Sequence, residues 1–341
     1  MPIRQRLAGL LDRAGVTEGL LRLRGRVRAP WLTVLTYHSV RDPAALPGFD
    51  PGTVDATPEA FDRQLALLVR HFTPVTLADV RAFLGGAALP PNPVLVTFDD
   101  GYRDNLEQGL PILRRHGVRA VFFVATGYVA ERRVFWWDRA AWLLHHSRRP
   151  SLTLGYPTPL VVALDGDRRP ALRKVLRIVK DHFGLDLERF LGELAQAAEV
   201  PWDRQLERRL ADALVLSWAE LRALRDAGMD VASHTRTHRV LQTVPPGELE
   251  EELAGSRADL ERELGQPVFA ISYPVGRGVR DTPQVHEAVA RAGYQLGFSY
   301  ASGVNYLWRR PDPLDLRRLA VEIDYPESVF RGILALPQLR P

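Results

Sequence analysis

Pro93-Val94-Leu95-Val96-Thr97-Phe98-Asp99-Asp100-Gly101-Tyr102 decides how this chain is read. A short apolar, β-branched run leads straight into two adjacent carboxylates and a glycine. That is the pattern of a strand followed by a sharp bend. Parallel α/β folds place such acidic residues at the carboxyl rim of the sheet, where chemistry is done. Two neighbouring carboxylates repel each other, and one pKa rises unless a cation or a proton sits between them. A plain Asp-Asp-Gly turn is the bland alternative. A histidine pair further along favours the functional one.

That pair lies in Met229-Asp230-Val231-Ala232-Ser233-His234-Thr235-Arg236-Thr237-His238, where a second apolar run ends in polar residues. His234 and His238 are four apart, so one helical turn would bring both imidazoles to one face. Two histidines and one carboxylate are a recurring zinc donor set, with the fourth position left to water. His-x-x-x-His alone is common; joined to a strand-terminal Asp-Asp it is far more specific.

Thr97-Phe98-Asp99-Asp100-Gly101 resembles the first motif of the polysaccharide deacetylases, the NodB-homology domain of carbohydrate esterase family 4. Ser233-His234-Thr235-Arg236-Thr237-His238 resembles the second. The resemblance runs from about Trp31 to about Asp324. It implies a distorted (β/α)7 barrel and metal-dependent removal of N-acetyl groups from an N-acetylhexosamine-containing glycan. Asp100, His234 and His238 match the family's metal ligands, and Asp99 its catalytic base. The implied cofactor is a divalent metal, zinc foremost, which would polarise the acetamide and lower the pKa of its water toward ~7.

The third motif matches in part. The family has Arg-x-Pro-aromatic-Gly, and this chain has Ser272-Tyr273-Pro274-Val275-Gly276. The resemblance makes the backbone N–H of Val275 the oxyanion donor. The arginine that orients the base is missing there, and Arg277, Arg280 or Arg318 could replace it. This Tyr-Pro-x-Gly form resembles the exopolysaccharide branch, in which the general acid can come from the first strand. His38, after Leu32-Thr33-Val34-Leu35-Thr36-Tyr37, fits that role; a third metal ligand or a structural histidine is the alternative. No late Leu-x-His follows. Tyr37, Tyr102, Tyr273 and Pro274, beside these motifs, complete the candidate substrate contacts. His71, His116, His145, His146, His182 and His286 fall in helices or loops and read as bland.

Around these motifs strands and helices alternate, which argues for parallel pairing. Thr57-Pro58 opens a helix with Phe61, Leu65, Leu68 and Phe72 on its buried face. Residues from about 131 to 214 interrupt the rhythm as a mostly helical insertion, with Trp136, Trp137 and Trp142 near its start. These tryptophans read as anchors to the core more than as sugar platforms. A last strand is expected over Leu319-Ala320-Val321-Glu322-Ile323, and a tail helix beyond it.

Composition fits a globular chain of 341 residues with a large core, at 46% hydrophobic and 25% charged. Cysteine is absent, which removes disulfides and thiolate metal sites. No apolar run is long enough to span a membrane, and no signal-peptide core is visible. A cytoplasmic or membrane-peripheral location is the expectation. Of the net charge of +4, residues 1–28 carry seven Arg against Asp12 and Glu18, so +5, leaving −1 for the rest. This basic amphipathic segment, with Ile3, Leu7, Leu10 and Leu11 at helical spacing, could touch an anionic membrane. A short helix packed on the domain, or a frayed tail, is the stronger expectation. No basic stripe interleaved with aromatics suggests nucleic acid. Two rivals remain open: an amidohydrolase acting on a small cyclic amide, and a glycan-binding protein without catalysis.

Overall fold

Seven short strands carry the core: β1 (Trp31–Tyr37), β2 (Pro93–Phe98), β3 (Ala120–Val124), β4 (Asp230–Ser233), β5 (Ala270–Ser272), β6 (Leu296–Ser299) and β7 (Leu316–Arg317). The structure is a computed structural model and describes residues 3–26, 31–308 and 311–337. Each strand pairs in parallel with the next. Leu319–Ala320 then pairs in parallel with β1, so the sheet curls into a nearly closed barrel. The last strand is therefore split, not continuous over 319–323 as expected. Its two halves serve different neighbours, and Arg318 sits at the break.

The strands read as unbroken apolar runs because both faces are covered. Alternate residues divide between two layers. Val34, Leu95, Val121, Phe123, Leu296 and Phe298 belong to an inner cluster within the barrel. Leu35, Val94, Val96, Phe98, Phe122 and Val124 face outward into the cluster beneath the helices. Thr97 and Asp99 continue the parity of Leu95, which carries Asp99 toward the barrel axis at the carboxyl rim.

The helices begin with α1 (Ile3–Arg13) and α2 (Val16–Arg26), then α3 (Pro58–His71), capped by the Thr57 side chain on the Ala60 N–H. Between β3 and β4 lie α4 (Trp136–His146), an antiparallel hairpin of Ser151–Leu154 and Leu160–Ala163, then α5 (Arg169–Asp181), α6 (Leu187–Ala198) and α7 (Arg204–Leu214). The chain's final described helix is α8 (Glu327–Ala335).

α1 and α2 pack on α8. Leu21 is fully buried there, and the buried Arg24 donates to the Leu334 carbonyl and to Thr33 Oγ1. Leu7, Leu10, Val16 and Leu23 remain exposed. Among the described residues no helix is long and apolar enough to cross a membrane.

The bend after Asp100 requires its glycine. Gly101 has φ +93°, and a Cβ there would lie 2.9 Å from Val124 Cγ1. Gly101→Ala is expected to cost roughly 1–3 kcal/mol through left-handed strain and overpacking, read as a lowered urea midpoint at unchanged slope.

Candidate active site

The carboxyl ends of β1, β2, β4 and β5 deliver their terminal side chains to one cavity of about 240 Å³. Asp99 and Asp100 follow β2, His234 and His238 follow β4, and His38 follows β1. The loop after β5 brings Val275. Asp99, Asp100, His234 and His238 are all buried.

His234 Nε2 lies 3.5 Å and His238 Nε2 3.3 Å from Asp100 Oδ1. One ligand atom from each of the three residues falls within 4.8 Å of the others. The turn, not a helix, makes this pairing: Thr235 and His238 both have positive φ, at 65° and 55°. The imidazoles meet as the four-residue spacing predicts, but across a turn and not on one face of a helix. A buried carboxylate holds the turn instead. Glu252 accepts from the N–H groups of Arg236 (3.0 Å) and Thr237 (2.9 Å) and from the Thr237 hydroxyl.

The donors suit a divalent cation. Asp100 Oδ1 is buried with no hydrogen-bond donor, an expensive arrangement unless a cation faces it. Burial lowers the pKa of His234 to about 4 and holds that of His238 well below its ordinary value, so both imidazoles are neutral and able to ligate. His234 Nδ1 lies 2.8 Å from the Ser272 carbonyl, which fixes the proton on Nδ1 and leaves the Nε2 lone pair facing Asp100. Burial, with Asp99, Asp138 and Asp55 nearby, raises the Asp100 carboxyl to about 7 despite the opposing pull of His38. A cation would replace that proton.

Asp99 sits in the opposite electrostatic setting. Arg318 Nη1 donates to Asp99 Oδ1 at 2.8 Å and Nη2 to Oδ2 at 2.7 Å. Arg318 is itself fully buried, and Nη2 also donates to Ser272 Oγ at 2.8 Å. Burial alone would raise the Asp99 pKa; Arg318, with His234 and His38, overcomes it and holds the carboxylate ionised. Ser272 occupies the place where the deacetylase motif has arginine. The guanidinium arrives instead from the split last strand. Arg277 lies elsewhere, pairing with Asp181 at the end of α5, and Arg280 lies 3.8 Å from Asp315.

His38 is held by a residue the sequence reading missed. Its Nδ1 lies 2.9 Å from Asp55 Oδ2, and its backbone N–H donates to the same oxygen. Burial would lower the His38 pKa, but the charge and hydrogen bond of Asp55, helped by Asp100 and Asp99, raise it to about 10. Asp55 stands in a three-residue strand, Val54–Ala56, just before the cap of α3. A lone acid between apolar residues was the only available signal. Asn105 Nδ2 fixes the His38 carbonyl at 2.8 Å. Asp50, Lys180, Tyr300 and Glu322 also line the cavity and were not anticipated.

The tyrosines are placed differently from the expectation. Tyr37, Tyr102 and Tyr273 are core residues that do not line the cavity. Their hydroxyls donate internally, to Gln64 Oε1 (3.0 Å), Asp138 Oδ2 (2.7 Å) and the Leu314 carbonyl (2.6 Å). Pro274 is buried beneath the Val275 turn. Aromatic size won over the polar tip, which needed only one internal partner. Trp136 and Trp137 do reach the cavity wall while also packing on His238, with Trp137 at 4.4 Å between ring centroids. Trp142 stacks on His146, away from the site.

Backbone strain concentrates here. Among the described residues seven non-glycine residues have positive φ, and Asp100, Thr235, His238 and Val275 are four of them. Val275, at φ 58° and ψ 4°, is β-branched and therefore strained in that conformation. Val275→Gly keeps the backbone N–H and releases the strain. It is expected to raise stability by roughly 1 kcal/mol in urea unfolding.

Residues 86–297 match the family described as polysaccharide deacetylase. YxkH of Bacillus subtilis, named for the same family, is 20% identical over 210 residues; that stretch is 62% of this chain and 45% of YxkH. The Streptococcus pyogenes deacetylase PplD, solved with acetate, is 18% identical, with a TM-score of 0.57 over 91% of this chain and 99% of PplD. IcaB from Ammonifex degensii is 20% identical, with a TM-score of 0.55 over 91% and 98%. These two likenesses show the fold.

Proposed function

Because the chain belongs to the polysaccharide deacetylase family, we propose that it hydrolyses N-acetyl groups on an N-acetylglucosamine-containing exopolysaccharide or wall-precursor glycan, with a divalent metal, zinc foremost, as cofactor. The observation that carries this reading is the pairing of a cation-ready Asp100–His234–His238 cluster with an ionised Asp99 in the same cavity.

Asp100, His234 and His238 would hold the ion. When bound, it supplies Lewis-acid polarisation of the acetamide carbonyl and a lowered pKa for water. Asp99, kept ionised by Arg318, takes a proton from the attacking water. The Val275 N–H donates to the carbonyl oxygen as negative charge develops there. His38, held charged by Asp55, gives its proton to the departing nitrogen. The amide C–N bond breaks, and acetate and the free amine of the sugar result.

Metal content tests the first step. Zinc-reconstituted wild type is expected to hold about one ion per chain, and His234→Ala far less, by elemental analysis. Equal loading in both would place the ion elsewhere.

The acid role predicts a pH effect. With its folded pKa raised, His38 stays an acid until pH climbs through about 10. Asp55→Asn removes the main cause, so the alkaline limb of acetate release should move down toward the ordinary value of about 6.5. Sign and window follow for stability too: the pair's contribution is complete below about 6.5 and is lost as pH rises through about 10. An unmoved alkaline limb removes His38 from the mechanism.

Exposed Leu7, Leu10, Val16 and Leu23 on the basic N-terminal helices favour one further reading, peripheral contact with an anionic membrane surface. Leu10→Glu with Leu23→Glu should weaken sedimentation with phosphatidylserine vesicles several-fold; unchanged sedimentation refutes it.

A further inference from the structure

Besides Trp136 and Trp137, the helical insertion brings to the site described above a charged residue with no assigned role, Lys180. α5 packs through Leu172, Val175, Leu176 and Val179, and its last turn presents Lys180 to the active-site cavity beside Leu176. The residue type is unusual for this chain. Of 45 basic residues only Lys174 and Lys180 are lysine. Lys174 Nζ donates to the Val161 carbonyl at 2.8 Å, pinning the insertion's hairpin. Lys180 is half-buried, and among the described residues no carboxylate lies within ion-pair distance of its ammonium. An ammonium presented to the cavity and not spent on an internal ion pair is available to a ligand there.

Asp50 shares the cavity with it. It lies in the loop after β1, where it caps the turn Pro51–Thr53 by accepting the Gly52 N–H at 2.8 Å. Its own N–H donates to Asp138 Oδ1 at 2.8 Å, which fixes the loop to α4. Lys180 and Asp50 influence each other electrostatically without touching. Both are anchored: the Asp181–Arg277 ion pair next to Lys180 ties α5 to the loop that follows Val275. An ammonium and a carboxylate held apart match neighbouring hydroxyls, since one hydroxyl oxygen can accept while the next O–H donates.

We propose that Lys180 and Asp50 form a hydroxyl-binding site that grips a vicinal diol of the sugar ring presented to Asp99, Lys180 donating and Asp50 accepting. This rests on the deacetylase reading and deepens it: Lys180 of the insertion and Asp50 of the loop after β1 supply the grip on the ring, while the strand ends at the barrel rim supply the chemistry. An anionic substituent on the glycan is the competing ligand. It would use Lys180 and be repelled by Asp50.

The test is steady-state acetate release from β-1,6-linked N-acetylglucosamine oligomers, whose rings keep adjacent 3- and 4-hydroxyls, by zinc-loaded protein, for wild type, Lys180→Met, Lys180→Arg and Asp50→Asn. Losing one charge-assisted hydrogen bond should raise KM about tenfold or more in Lys180→Met and in Asp50→Asn. The expected kcat stays within about twofold, bound zinc per chain is unchanged, and Lys180→Arg recovers part of the loss. A lower KM in Asp50→Asn overturns the diol in favour of an anionic group. Unchanged KM in both variants, with an active wild type, overturns the inference and leaves the deacetylase reading standing. No acetate from the zinc-loaded wild type overturns both.

Discussion

The buried pair of Arg318 and Asp99 is the interaction on which the rest of the site depends. Both side chains are removed from water, so each needs the other. Separating such a pair by truncating one partner typically costs about 3–5 kcal/mol. The pair also joins distant parts of the chain, because Arg318 comes from the break between Leu316–Arg317 and Leu319–Ala320, where the barrel closes against β1. Closure and chemistry therefore share one residue. The guanidinium keeps the Asp99 carboxylate ionised in a place where burial would otherwise protonate it. Ser272 fits the same logic, because its hydroxyl touches both partners and its small side chain leaves room for Arg318.

Beside this pair, the second carboxylate is left without a donor. Asp100 faces two neutral imidazoles and carries a raised pKa. The adjacent aspartates are thus driven apart in character by their surroundings, one toward a base and the other toward a cation. The separation is positional. Asp99 lies on the inward parity of β2 and meets Arg318, while Asp100 turns away with φ 73° to meet the histidine turn. Four residues in left-handed backbone at one cavity mark where the fold accepts strain to aim side chains.

Much of this was legible in the sequence because strand-terminal chemistry is local. The apolar run ending in Asp99-Asp100, the run ending in Ser233-His234 and the strand ending in His38 each place their residue by strand parity and length alone. Arg318 was one of three candidates on the sequence; choosing among them needed the split of the last strand, which no periodicity announces. Asp55 and Lys180 were invisible for a related reason. Each reaches the cavity from an element whose placement depends on tertiary packing, a short strand before α3 in one case and the insertion in the other. Tyr37 misled because adjacency along a strand sends successive side chains to opposite faces. Tyr37 precedes His38 and therefore points into the core.

The measurement that tests the central claim most directly is acetate release by zinc-loaded Arg318→Met beside wild type, with bound zinc measured in the same samples. Methionine keeps apolar volume but removes the charge that holds Asp99 ionised. The account predicts retained zinc and a fall in acetate release at neutral pH of about a hundredfold or more, the scale of a lost general base. Retained zinc with a wild-type rate would contradict it.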